Sequence, residues 1–186
     1  MILTLFLGLS ACFGGYTQPS KFYTLSPVMK TPIVQSTDFS VGINRVQTAQ
    51  YLDRPQIITN QLNTNEVVVS ENNRWIESLP NLIARTTADN LSVLLPKGQI
   101  KVKNFTTEKF DFTLSLEVVK MDTILGNSAT LEVWWQIQNK DKKTVLKDKF
   151  SKTVPVGKGY EDLAITQSDL FGQLAKQIAQ KLTILN

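Results

Sequence analysis

From Phe110 to Val118 the chain alternates apolar and polar residues without a break. Phe110, Phe112, Leu114, Leu116 and Val118 interleave with Asp111, Thr113, Ser115 and Glu117. A period of two is the signature of a strand with one dry and one wet face. Gly126-Asn127-Ser128 then turns the chain, and Leu131, Val133, Trp135 and Ile137 alternate on the way back. A polar turn, Asn139-Lys140-Asp141-Lys142-Lys143, leads into a third strand over 145–156. Long strands joined by tight turns pair antiparallel. The Lys and Asp side chains of the third strand suit a sheet edge. This block excludes an all-helical fold, and its dry face demands a cover.

Two helices supply it. Leu79, Leu82, Ile83, Thr86, Leu91, Leu94 and Leu95 recur at spacings of three and four, with Pro80 early and Pro96-Lys97-Gly98 as the stop. Leu170, Leu174, Ile178 and Leu182 repeat every four residues within 162–185, and Ser168 or Thr166 is placed to cap the longer part. Shorter strands are predicted over 22–25, 41–46 and 99–104. A hairpin joins Ile57–Thr59 to Glu66–Ser70 across Asn63-Thr64-Asn65. Each helix carries one apolar stripe and must be buried on one side. The expected fold is α+β: a two-layer sandwich of a mainly antiparallel sheet with two helices packed on one face.

The residue inventory narrows function. The 186 residues contain no histidine and one cysteine, and the net charge is +4. Without histidine there is no Ser-His-Asp or Cys-His nucleophile system and no imidazole base or metal ligand. The carboxylates are scattered. Glu117 and Glu132 are expected to meet across the antiparallel pair, but on its wet face, which gives no shaped cleft for acid–base work. No phosphate-binding loop, dinucleotide fingerprint or metal-ligand cluster is present. The expectation is a non-enzyme with no metal and no cofactor, and no nucleic-acid partner.

The lone cysteine has a specific setting. Residues 1–11 carry no charged side chain and are rich in Met, Ile, Leu and Phe. Such a run is too short to span a bilayer and suits the apolar core of a secretory signal. Leu9-Ser10-Ala11-Cys12 looks like a bacterial lipobox. The division expected is a lipoprotein signal at 1–11, a lipidated tether at 12–20 beginning with an acylated Cys12, and one domain over 21–186. Phe13, in place of an aspartate, points to the outer membrane.

Three further places stand out. Tyr51-Leu52-Asp53-Arg54-Pro55-Gln56 reads as a bend, either a recognition loop or a turn fixed by an Asp53–Arg54 pair. Arg74-Trp75 precedes the first helix; Trp75 is read as its anchor, with Arg74 pairing an acid, or as an interface hot spot. Trp134 and Trp135 point to opposite faces of their strand, which sends Trp134 outward toward solvent or a partner. Residues 97–158 carry 12 lysines against 7 acids, a mildly basic stretch that reads chiefly as a solvated sheet face.

The lipobox, Phe22-Tyr23-Thr24-Leu25, Tyr51-Leu52-Asp53-Arg54-Pro55-Gln56-Ile57 and Arg74-Trp75 together resemble the PqiC-like ABC-type transport auxiliary lipoproteins. The likeness runs from Cys12 to about Leu182, and the Tyr-Leu-Asp-Arg-Pro-Gln string is its most specific part. The resemblance implies an outer-membrane lipoprotein facing the periplasm. Its implied partners are a periplasmic MCE-domain (PqiB-like) protein and an inner-membrane component, in a system moving lipids between membranes. It also implies a ring of identical subunits docking the end of the MCE tube. Two other readings stay open: a stand-alone periplasmic lipid carrier, and an auxiliary lipoprotein of another ABC transporter.

Overall fold

The computed structural model describes residues 18–33, 38–103 and 108–185. The alternating block forms three long strands. These are β7 (Phe112–Ile124), β8 (Ser128–Asn139) and β9 (Thr144–Pro155), preceded by β1 (Lys21–Tyr23), β2 (Ser40–Ile43), β3 (Gln47–Thr48), β4 (Gln56–Asn60), β5 (Val67–Trp75) and β6 (Gln99–Val102). The helices are α1 (Leu79–Leu94), between β5 and β6, and α2 (Tyr160–Leu182), after β9.

β7, β8 and β9 form an antiparallel meander, with β9 at the sheet edge. Leu114, Leu116, Val118, Leu131, Val133, Trp135 and Ile137 are all buried. The alternation breaks once. The β7–β8 register shifts between Val118 and Lys120, so Met121 and Thr123 take over the buried phase while Val119 faces out. Gly126 makes the turn into β8 with φ +73°, a conformation that costs glycine nothing.

The other side of β7 departs from simple antiparallel pairing. β2 and then β3 run parallel to β7, and β6 runs parallel to β2, giving the order β6-β2-β7-β8-β9. Parallel neighbours need a crossover, and α1 is part of the one between β2 and β6. The remaining strands form a second sheet in the order β1-β5-β4, with β1 parallel to β5 and β4 antiparallel to it. The β4–β5 hairpin is as predicted, turning through Asn63 at φ 61°. The fold is α+β, its longest ladders antiparallel, with a small second sheet that the short strands did not announce.

The core lies between the six-stranded sheet and the two helices. Leu82, Ile83, Leu91, Leu170, Phe171, Leu174 and Ile178 are inaccessible to solvent. At β9 the inward phase reaches α2: Lys152 Nζ donates to Gln173 Oε1 (2.6 Å), and Gln177 Nε2 donates to Asp148 Oδ2 (3.2 Å). The start of α2 is earlier than predicted. The Asp162 carboxylate accepts the Gly159 N–H (2.9 Å) and closes the first turn. Ser168 therefore lies inside the helix, and its hydroxyl bonds back to the Ala164 carbonyl (2.7 Å) rather than capping an end.

Residues 25–33 run across both helices. The Asn90 side-chain oxygen accepts the N–H groups of Val28 and Met29, both at 2.9 Å, and the Ser168 hydroxyl accepts the Ser26 N–H (3.1 Å). Gly172 lets this strap approach. A Cβ there would lie 2.2 Å from Val28 Cγ2. Asn90 and Ser168 are buried polar residues on largely apolar helix faces, which is where a strap of backbone donors needs partners.

Candidate functional site

Segments far apart in the chain meet in the small sheet. Phe22 and Tyr23 lie opposite Arg74 and Trp75 in the β1–β5 register, and Gln56 lies opposite Arg74 across β4–β5. The Trp75 N–H donates to the Pro55 carbonyl (2.7 Å), and the Ile76 N–H donates to the Tyr23 carbonyl (2.8 Å). The Phe-Tyr, Arg-Pro-Gln and Arg-Trp segments thus form one crossing. Trp75 is buried and lines a void of about 10 Å³ with Leu52, Ile57, Leu79, Met121, Leu163 and Gln167 among its walls. That is room for one water at most. Gln167 donates to Thr123 Oγ1 (3.2 Å), and its side-chain oxygen has no protein partner. Trp75 sits as the anchor of this crossing rather than as an accessible contact.

The bend before β4 is held by its backbone. Gln50–Leu52 form a 3-10 turn, the Asp53 N–H donates to the Gln50 carbonyl (3.2 Å), and the Arg54 N–H donates to the Leu52 carbonyl (2.9 Å). Leu52 is buried; Asp53, Arg54 and Pro55 are exposed. Among the described residues no ion pair joins Asp53 to Arg54, because burial of Leu52 and these carbonyl contacts already fix the turn. Nor does Arg74 meet an acid: its Nε donates to the Glu71 carbonyl (3.4 Å), as the strand irregularity opposite Gln56 brings that carbonyl round. Tyr51 links the bend to the larger sheet, its hydroxyl donating to Asp122 Oδ1 (3.0 Å). Burial, reinforced by the Asp122 charge and bond, pushes the Tyr51 phenol up to about 12.

The outer face of the large sheet is a different surface. Gln47, Glu117, Trp134 and Lys149 form one row across four strands, and Ser115, Gln136 and Lys147 form the next. Trp134 is 42% exposed. The Lys147 and Lys149 ammonium groups each lie 5.8 Å from its ring centroid, in cation–π range. Lys149 also pairs with Glu132 (2.5 Å) and holds that carboxyl below its usual range. Glu117 does not meet Glu132. The register puts Trp134 opposite Glu117, and the bulge at Val119 puts Lys120 opposite Glu132. A concavity of about 420 Å³ opens here, with Arg45, Asn44, Gln136, Lys147 and Trp134 in its lining. Asn44 Nδ2 donates to Ser115 Oγ (2.8 Å) at its edge. The lining thus combines an aromatic ring, cations and amides with one carboxylate, Glu117.

Cys12 and most of the tether lie outside the described residues. Among the described residues no group of three or more Cys, Asp or Glu side chains is arranged to hold a metal ion, and no helix is long and apolar enough to cross a membrane. The model of the ABC-type transport auxiliary lipoprotein component matches residues 23–179. The chain belongs to this family. The match begins at Tyr23, the last residue of β1, and takes in β2 to β9, α1 and α2 up to Ala179. The family is one of auxiliary lipoproteins of transport systems. No curated protein matches the sequence. Among solved structures, one of an uncharacterised protein superposes with a TM-score of 0.74 at 18% identity, covering 89% of this chain and 99% of the other. A protein of Xanthomonas campestris superposes with a TM-score of 0.68 at 15% identity, covering 86% and 92%. At these identities the likeness shows the fold.

Sequence reasoning did not find Tyr51–Asp122 or the strap contacts of Asn90 and Ser168. Asn90 left a signal, an amide on an apolar helix face. The Tyr51–Asp122 contact left none, since it depends on how the two sheets abut.

Proposed function

We propose that the protein is a non-enzymatic docking lipoprotein of an MCE-type, PqiABC-like intermembrane lipid transport system. In this reading it is held by lipid on Cys12 at the outer membrane and faces the periplasm. The family membership over residues 23–179 carries the proposal. The Tyr51–Gln56 string and Arg74-Trp75 support the PqiC-like assignment by likeness, and both are built into the fold. The outward Trp134 with its two lysines supplies a contact surface for a periplasmic MCE protein, and a ring of identical subunits would repeat that surface around the tube's end.

Crosslinking in intact cells, followed by purification of the lipoprotein, tests this. The expected result is recovery of an MCE-domain protein, reduced at least tenfold by Trp134→Ala in a folded protein. Recovery of a different ABC importer, or of no MCE protein with the envelope preserved, overturns it. Cys12→Ser should move the protein from the membrane pellet to the soluble periplasmic fraction. The void beneath Trp75, about 10 Å³, cannot take an acyl chain, so a stand-alone lipid carrier would have to hold its cargo in an open surface concavity. Native mass spectrometry showing bound lipid would favour the carrier instead.

A further inference from the structure

The small sheet carries an apolar outer face. Trp75, Ile57 and Thr59 point into the core, so the alternate positions Phe22, Arg74, Ile76, Ile58, Val67 and Val69 point away from it. Phe22 and Ile76 are each 57% exposed. Ile165, on the first turns of α2, is 56% exposed and shares with Phe22 a concavity of about 550 Å³. Leu62, at the hairpin tip, is exposed as well. Most of the exposed large apolar side chains among the described residues therefore gather around one small sheet and the helix end beside it. Scattered singly they would need no explanation; gathered, they mark a contact surface.

The position of this surface in the chain identifies its occupant. Cys12 lies nine residues before Lys21, the first residue of β1. A fully extended segment of that length spans about 30 Å, so Phe22 is held within roughly that distance of the acyl-bearing residue. Charge agrees. Of the six outward positions named only Arg74 is charged, and Lys21 and Glu161 offset each other in the lining of the concavity beside Phe22, so the surface has no strong excess of either sign and suits apolar contact with lipid rather than capture of an anion. We propose that the outer face of the small sheet, together with Ile165, rests on the lipid surface that bears the Cys12 anchor and so fixes the orientation of the domain. This rests on the reading of Cys12 as lipidated. It adds a second contact with the bilayer beyond the acyl chains.

The test uses the full chain, acylated at Cys12, in vesicles of phosphatidylethanolamine and phosphatidylglycerol. Once Cys12 is a thioether, a new cysteine is the only free thiol. Phe22→Cys, Ile165→Cys and, as the comparison, Trp134→Cys are each labelled with an environment-sensitive fluorophore. Doxyl-labelled phospholipid should quench the probes at 22 and 165 at least twofold more than the probe at 134. Equal quenching at all three positions overturns the proposal. So does a blue shift at 22 that follows protein concentration and ignores the doxyl label, which would assign the face to a second copy of the chain. Mass spectrometry of Cys12 and flotation separate the two levels. An unmodified cysteine on a protein that does not float removes the anchor and the proposal with it; unquenched probes on a floating protein remove the proposal alone.

Discussion

The two sheets turn opposite surfaces outward. The large one presents Trp134 among Lys147, Lys149, Gln136 and Ser115, a polar surface with one aromatic. The small one presents Phe22, Ile76, Val67 and Val69. Inward, each buries a tryptophan, Trp135 under the first and Trp75 under the second. The difference teaches that folding constrains only the inner phase of each strand. The outer phase is free to differ: polar around one aromatic on the large sheet, apolar on the small one.

The largest effect that could break this comparison is at the tryptophans. Trp75→Ala should cost about 3–5 kcal/mol in urea unfolding, as expected for a large buried aromatic. Trp134→Ala should stay within about 1 kcal/mol, since its ring is half in solvent. Similar losses at both would erase the distinction between anchor and platform. Next comes the strap. Asn90→Ala leaves the Val28 and Met29 N–H groups without their acceptor and should cost about 2 kcal/mol by the same measurement. Gly172→Ala should also destabilise, because the new methyl group meets Val28.

The join between the two regions is pH-sensitive on the alkaline side. Tyr51 titrates higher folded than unfolded, so its neutral form is the one the fold favours. That contribution is fully present below pH 10 and is lost as pH rises toward 12. Denaturant midpoints measured from pH 9 to 12 should fall more steeply in the wild type than in Tyr51→Phe. The smallest stability effects belong to the outer faces themselves. Phe22→Ser and Lys147→Ala should each change unfolding by no more than about 0.5 kcal/mol. They should differ in function: Lys147→Ala should weaken partner capture in a way that added salt mimics, while Phe22→Ser should leave salt dependence unchanged.

Much of this was legible in the chain. The long antiparallel block, both helices and the β4–β5 hairpin follow from periods of 2 and 3.6 and from turn residues. The parallel pairing of β2, β3 and β6 does not, because strands of two to four residues carry no direction in their pattern. The second sheet is hidden for the same reason: β1 has three residues. Trp134 is legible as outward because its neighbours on β8 alternate so strictly. Adjacent opposite charges suggest an Asp53–Arg54 pair, but backbone hydrogen bonds close that turn instead. The apolar face of Phe22 and Ile76 could not be seen in sequence, since the two residues become neighbours only when β1 lies beside β5.

β1 enters the small sheet parallel to β5. A pull applied at Ser20 along the strand therefore loads the hydrogen bonds of that ladder together, in shear, instead of peeling them one after another. Beyond β1 the same chain is gripped again at Ser26 and Val28 by the two helices. A domain tethered by its N-terminus and tugged by a partner would thus transmit tension to its core through two fastenings in series.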